Sequence, residues 1–143
     1  MMEKYFCNYK QSLALKELGY DEPCFGAYDT HKGDEWLLNI KSDFYYGQFS
    51  DKNKACLAPL KSQVFEWFRK NHKLRHNVMD FIDDITGVEW DYEIATIGTD
   101  VDENGNYKSL VDYSIDDDMR KFKTYEESES ACIDKLIEII KNK

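Results

Sequence analysis

Basic residues almost vanish from one stretch of this chain. Residues 80–118 hold thirteen acidic side chains and a single cation, Lys108, a balance of −12. The rest of the molecule sums to +3 within a net charge of −9. Such asymmetry argues against direct nucleic-acid binding, because phosphates would be repelled by the acidic portion. No apolar run approaches the roughly 20 residues that a membrane-spanning helix needs, and the amino end does not read as a signal peptide. The expectation is a protein that stays in the cytosol. Proline occurs only at Pro23 and Pro59, so few breaks are imposed on the chain. The four cysteines, Cys7, Cys24, Cys56 and Cys132, form no C-x-x-C pair. They read as isolated, buried thiols rather than a disulfide framework or zinc site. A nucleophile elbow, phosphate loop, dinucleotide fingerprint and paired-acid motif are also missing, which points away from an enzyme.

What is present is apolar and aromatic. Aromatics make up 15% of 143 residues, enough for one ordinary domain with a substantial core rather than a disordered chain. They concentrate in residues 60–73, where Leu60, Val64, Phe65, Trp67 and Phe68 gather on one helical side and Lys61, Glu66, Arg69, Lys70 and Lys73 on the other. Pro59 suits the first turn of this helix. An earlier helix over residues 8–18 has Asn8 as its cap, Leu13, Leu15 and Leu18 as apolar surface, and Gly19 as its left-handed stop. Two short strands, 24–29 and 35–38, are joined by a polar turn.

Residues 78–82, 88–97 and 107–115 read as further strands. In the second, Val88, Trp90, Tyr92 and Ile94 alternate with Glu89, Asp91 and Glu93. The turns at Thr86-Gly87 and Asn104-Gly105 favour an antiparallel meander with one wet face. Thr124 and Glu127 form a T-x-x-E capping box that opens a final helix, striped by Tyr125, Cys132, Leu136, Ile139 and Ile140. The expected architecture is one α+β domain over residues 1–143, an antiparallel β-sheet packed on one face by three α-helices. Trp67, Phe68, Trp90, Tyr92, Cys132 and Leu136 are its expected core.

Several segments resemble a known group: Leu15-Lys16-Glu17-Leu18-Gly19-Tyr20 with Glu22-Pro23-Cys24, Phe65-Glu66-Trp67-Phe68-Arg69, Trp90-Asp91-Tyr92, and Thr124-Tyr125-Glu126-Glu127 leading to Ala131-Cys132-Ile133-Asp134-Lys135-Leu136. They are similar to an uncharacterised family of small accessory proteins of tailed bacteriophages and prophages of gut bacteria. The likeness covers most of the chain in the same order and is least in residues 43–55 and 80–84. It implies a phage accessory protein acting in a bacterial cytoplasm, and it brings no catalytic or binding residues.

Three constellations are candidates for chemistry. Asp100, Asp102 and Asn104 match the opening of a calcium loop, but Val111 stands where a bidentate Glu belongs and the flanks read as strands rather than helices. An acidic hairpin tip is the preferred reading, with no cofactor. His72 and His76 are four apart with Asp80 a further turn on, a zinc-like spacing. The helix is expected to end between the histidines, so the spacing loses its meaning and a zinc site is disfavoured. The aromatic stretch Asp43-Phe44-Tyr45-Tyr46-Gly47-Gln48-Phe49 suits a stacking platform or, preferably, an edge strand or loop over the core. The remaining candidate is the acidic outer face of Glu89, Asp91 and Glu93, which Asp112 and Asp116 extend if register allows. The functional expectation is non-enzymatic binding of a host or phage protein with a basic surface. Alternatives are nucleotide binding or sequestration, and metal-dependent hydrolysis.

Overall fold

A computed structural model describes residues 2–31, 35–46, 56–97, 103–105 and 122–142. The chain is α+β, with three α-helices and two antiparallel sheets of three and two strands. Its elements run α1 (Tyr9–Glu17), β1 (Cys24–His31), β2 (Glu35–Phe44), β3 (Cys56–Ala58), α2 (Lys61–His72), β4 (Leu74–Asp83), β5 (Gly87–Thr96) and α3 (Tyr125–Lys141), after a 3-10 turn at Met2–Tyr5. The expected single sheet is therefore corrected among the described residues. The first hairpin recruits β3, whereas β4 and β5 pair with each other over ten residue pairs. The anticipated strand at residues 107–115 lies outside the described residues. By contact the chain forms two compact units, Met1–Val64 with Ile137–Lys143, and Phe65–Leu136.

In the first unit, local chemistry sets the ends of α1. Asn8 Oδ1 accepts from the Gln11 amide (2.8 Å), and Gln11 Oε1 accepts from the Asn8 amide (3.1 Å), which closes a capping box. At the other end Gly19 takes φ +98°, and the Tyr20 and Gly19 amides donate to the Leu15 and Lys16 carbonyls. That is a Schellman ending, which favours glycine because a side chain strains this backbone. Leu15 is buried, whereas Leu13 is exposed.

The sheet order is β2-β1-β3, with Tyr28 opposite Leu38 on one side and Cys56 on the other. Gly26 is needed for close approach. A Cβ there would lie 2.8 Å from Phe6 Cε1 and 2.9 Å from the Ala58 carbonyl oxygen. Phe6, Cys7, Leu15, Tyr20, Cys24, Ala27, Leu57 and Ala58 are buried here. The Tyr28 hydroxyl donates to the Cys7 carbonyl (2.7 Å), fixing the chain just before α1.

Helix α2 begins one residue later than its apolar pattern suggests. Leu60 is held in a bridge with Phe6, its amide donates to Gln63 Oε1 (3.0 Å), and the Pro59 carbonyl accepts from Cys7. Pro59 thus precedes the helix instead of occupying its first turn, and Lys61, expected on the wet side, is buried.

In the second unit, the rest of α2 buries Phe65, Trp67 and Phe68. The helix stops where Lys73 adopts φ 54°, and the Lys73 carbonyl accepts from the Ile97 amide (2.7 Å). From there β4 runs antiparallel to β5 in continuous register, from Leu74 opposite Thr96 to Asp83 opposite Gly87. Leu74, Tyr92 and Ile94 are buried, as are Cys132, Ile133 and Leu136 on α3. Of the six expected core residues, only Trp90 is half-buried, its ring set edge-on to Tyr125 at 5.5 Å. Thr124 caps α3 as anticipated: its Oγ1 accepts from the Glu127 amide (3.1 Å), while Glu127 Oε2 accepts from the Lys123 amide (3.2 Å). No helix among the described residues is long and apolar enough to cross a membrane.

Candidate functional site

Of the acidic residues singled out from sequence, Glu89, Asp91 and Glu93 fall on the β4–β5 ribbon. Register places Arg75, Asn77, Met79 and Phe81 opposite Ala95, Glu93, Asp91 and Glu89, so these eight share one face. Alternation gives that face its acids, as expected. It does not make all of them accessible.

Glu89 is the clearest correction. It was expected on the solvent face, yet its side chain is 0% exposed, with Lys123 Nζ 2.7 Å from Oε1. The covering segment is tied down beside it, because Trp90 and Phe122 exchange both backbone hydrogen bonds, at 2.9 and 3.0 Å. The Lys123 side chain is 68% exposed, so the pair has one end in water. The ammonium offsets the lost hydration at Oε1, whereas Oε2 is buried with no hydrogen bond of its own among the described residues. The signal was absent from the alternation pattern, since it comes from a residue 34 positions away.

Glu93 is also engaged. Its Oε1 accepts from Asn77 Nδ2 (3.5 Å) and lies 3.9 Å from Arg75 Nη1. Asp91 is half-buried, and its Oδ1 accepts from the Tyr92 amide (2.7 Å). Asp112 and Asp116 lie outside the described residues, as do Asp100 and Asp102. Asn104 is exposed in a turn that Gly105 completes at φ +83°.

Carboxylates that do face solvent sit toward the far end of the ribbon. Asp80 and Asp84 are exposed. Asp83 organises the turn: its Oδ1 accepts from the Ile85 and Thr86 amides, at 2.8 and 3.1 Å. Gly87 closes it at φ +87°. Around this turn are residues that sequence reasoning did not pick out. Ile82 is 81% exposed, Ile85 94% and Val88 56%. The available signal was three β-branched apolar residues bracketing a turn with Asp80, Asp83 and Asp84. A strand pattern assigns Ile82 and Val88 to the core face by default.

The two histidines do not make a metal pair. His72 ends α2, with its ring centroid 4.8 Å from that of Trp67, whereas His76 lies in β4. His76 stacks on Phe65 with centroids 3.5 Å apart and planes 6° from parallel. Burial, aided by Arg69, pushes its imidazole down to about 4. Among the described residues no group of three or more His, Cys, Asp or Glu is arranged to hold a metal ion.

All four cysteines are free and buried. Burial raises Cys24 to about 12 and Cys56 to about 11, the latter despite Lys16, so neither thiol is poised as a thiolate. In the aromatic stretch, Tyr45 is exposed and the Tyr46 hydroxyl accepts from the Leu57 amide (3.1 Å), with Lys16 Nζ 5.3 Å from the ring centre. Tyr46 is thus tied to the edge of β3. No family model, curated protein or solved structure matches the chain.

Proposed function

We propose that the chain is a non-enzymatic accessory protein that binds a host or phage protein with a basic surface through the distal, acidic part of the β4–β5 ribbon. One observation carries this reading. Within Leu74–Thr96 six carboxylates stand against one arginine, and neutralisation is uneven along the ribbon. Arg75 attends Glu93 and Lys123 attends Glu89, while Asp80 and Asp84 face water near the turn. Exposed like charges speed encounter with an oppositely charged surface and discourage wrong partners. The acidic surface proposed here is therefore not the face foreseen from alternation: Asp80 lies on the opposite side of the ribbon from Glu89, Asp91 and Glu93, and Asp84 lies in the turn.

The test compares the native protein with an Asp80→Lys, Asp84→Lys, Asp91→Lys triple variant. Both are used for affinity capture from a bacterial host lysate, followed by association kinetics on the captured protein. The variant should capture less, associate several-fold more slowly, and lose the salt dependence of the native complex. Equal capture and equal association rates at low salt would sink the reading.

A further inference from the structure

The turn joining β4 to β5 combines features that an ordinary surface turn does not need. Isolated apolar residues are common on protein surfaces, but here three occupy adjoining positions. Ile82 and Val88 are directly opposed across the strands, and Ile85 stands within the turn between them. Their exposure is not the result of a loose loop. Asp83 accepts two turn amides, and β4 and β5 remain paired up to Asp83 and Gly87. Apolar side chains on a turn held this way lose little freedom on docking, which lowers the entropic cost of association.

The surroundings select the occupant. Asp80 lies on the same ribbon face as Ile82, and Asp84 adjoins Ile85 in the turn. An anionic lipid surface or a nucleic acid would be repelled by these carboxylates. A second copy meeting this one tip to tip would oppose acid to acid. The three side chains expose a few hundred Å², short of the roughly 800 Å² per partner of a standard protein interface. The apolar tip can therefore anchor a contact that the polar ribbon beside it completes.

We infer that the β4–β5 turn is a preorganised docking peg, with Ile82, Ile85 and Val88 entering an apolar cleft of a partner protein whose rim carries Lys or Arg opposite Asp80 and Asp84. This rests on the protein-binding reading above and adds the chemistry of the partner's cleft.

The test uses defined probes. Two fluorescent helical peptides of equal length present the same leucine face, one flanked by lysines and the other by glutamates. Vesicles of zwitterionic and of anionic lipid, and the protein alone in sedimentation, complete the set. The native chain should bind the leucine–lysine peptide roughly ten-fold or more tightly than the leucine–glutamate peptide. An Ile82→Ser, Ile85→Ser variant should lose roughly ten-fold or more of that affinity, as expected from removing buried apolar area, with an unchanged melting temperature. Peptide binding that survives the serine variant but falls in the Asp80→Lys, Asp84→Lys variant overturns the peg and leaves the acidic-surface reading standing. Loss in the serine variant alone, with charge reversal and salt without effect, overturns the basic rim. Equal affinity for both peptides, vesicle binding, self-association abolished by the serine changes, or no binding to either peptide overturns the proposal.

Discussion

The two ends of the β4–β5 ribbon have similar sequence patterns and opposite environments. At the base, Leu74 and Ile94 are fully buried and His76 lies against Phe65. Near the turn, Ile82 and Val88 on the same alternating face stand mostly in water. Period-two alternation states which residues share a face, and it says nothing about whether another element covers that face. Phe65 of α2 supplies apolar cover at the base, stacked on His76. The difference between core and candidate docking surface is thus a difference in neighbours, not in strand chemistry.

Mutations at the two ends should break the comparison in proportion to burial. Phe68→Ala should cost about 3–5 kcal/mol by chemical denaturation, through lost apolar contact and a residual cavity. A cost below about 1 kcal/mol would mean that the base is not packed as described. Lys123→Ala removes the cation from a fully buried Glu89 and should cost about 1–3 kcal/mol, with Glu89→Gln in the same background restoring part of it. If Lys123→Ala is neutral, the ammonium does not support the buried carboxylate.

A smaller, pH-dependent effect is expected at His76. Its folded value of about 4 lies below the usual imidazole value of 6.5, so the unfolded chain binds more protons between them. Stability contributed by the neutral ring is fully present above pH 6.5 and declines as pH falls toward 4. His76→Phe should flatten that window of the stability–pH curve, and an unchanged slope would show that the ring is accessible in the fold. Asp83→Ala should cost roughly 0.5–1.5 kcal/mol by leaving two turn amides to water. At the bottom of the scale, Ile85→Asp should move stability by no more than about 0.5 kcal/mol, since its side chain is already solvated. A large loss there would place the turn in the core.

Much of the local structure was legible from residues a few positions apart. Asn8 with Gln11, Gly19, and Thr124 with Glu127 act within one helical turn, so their roles follow from short spacing. The aromatic face of α2 was readable for the same reason, although Lys61 was not. The candidate site was only half legible. The acids expected there were Glu89, Asp91, Glu93, Asp112 and Asp116, and nothing in local spacing set Asp80 and Asp84 ahead of them without knowing where Lys123 and Arg75 lie.

By itself the sequence determined the α+β class, the helix caps, the first hairpin and the alternation of β5, because each depends on periodicity or on backbone chemistry over short distances. Tertiary structure alone decided that, among the described residues, β1, β2 and β3 form one sheet and β4 and β5 another. It also brought Phe6 and Ala58 close enough to require glycine at position 26, buried Glu89 beneath Lys123, and left Ile82, Ile85 and Val88 uncovered. The physical reason is common to all four. Burial and charge compensation depend on which distant segment arrives at a given face, and no local pattern in the chain encodes that arrival.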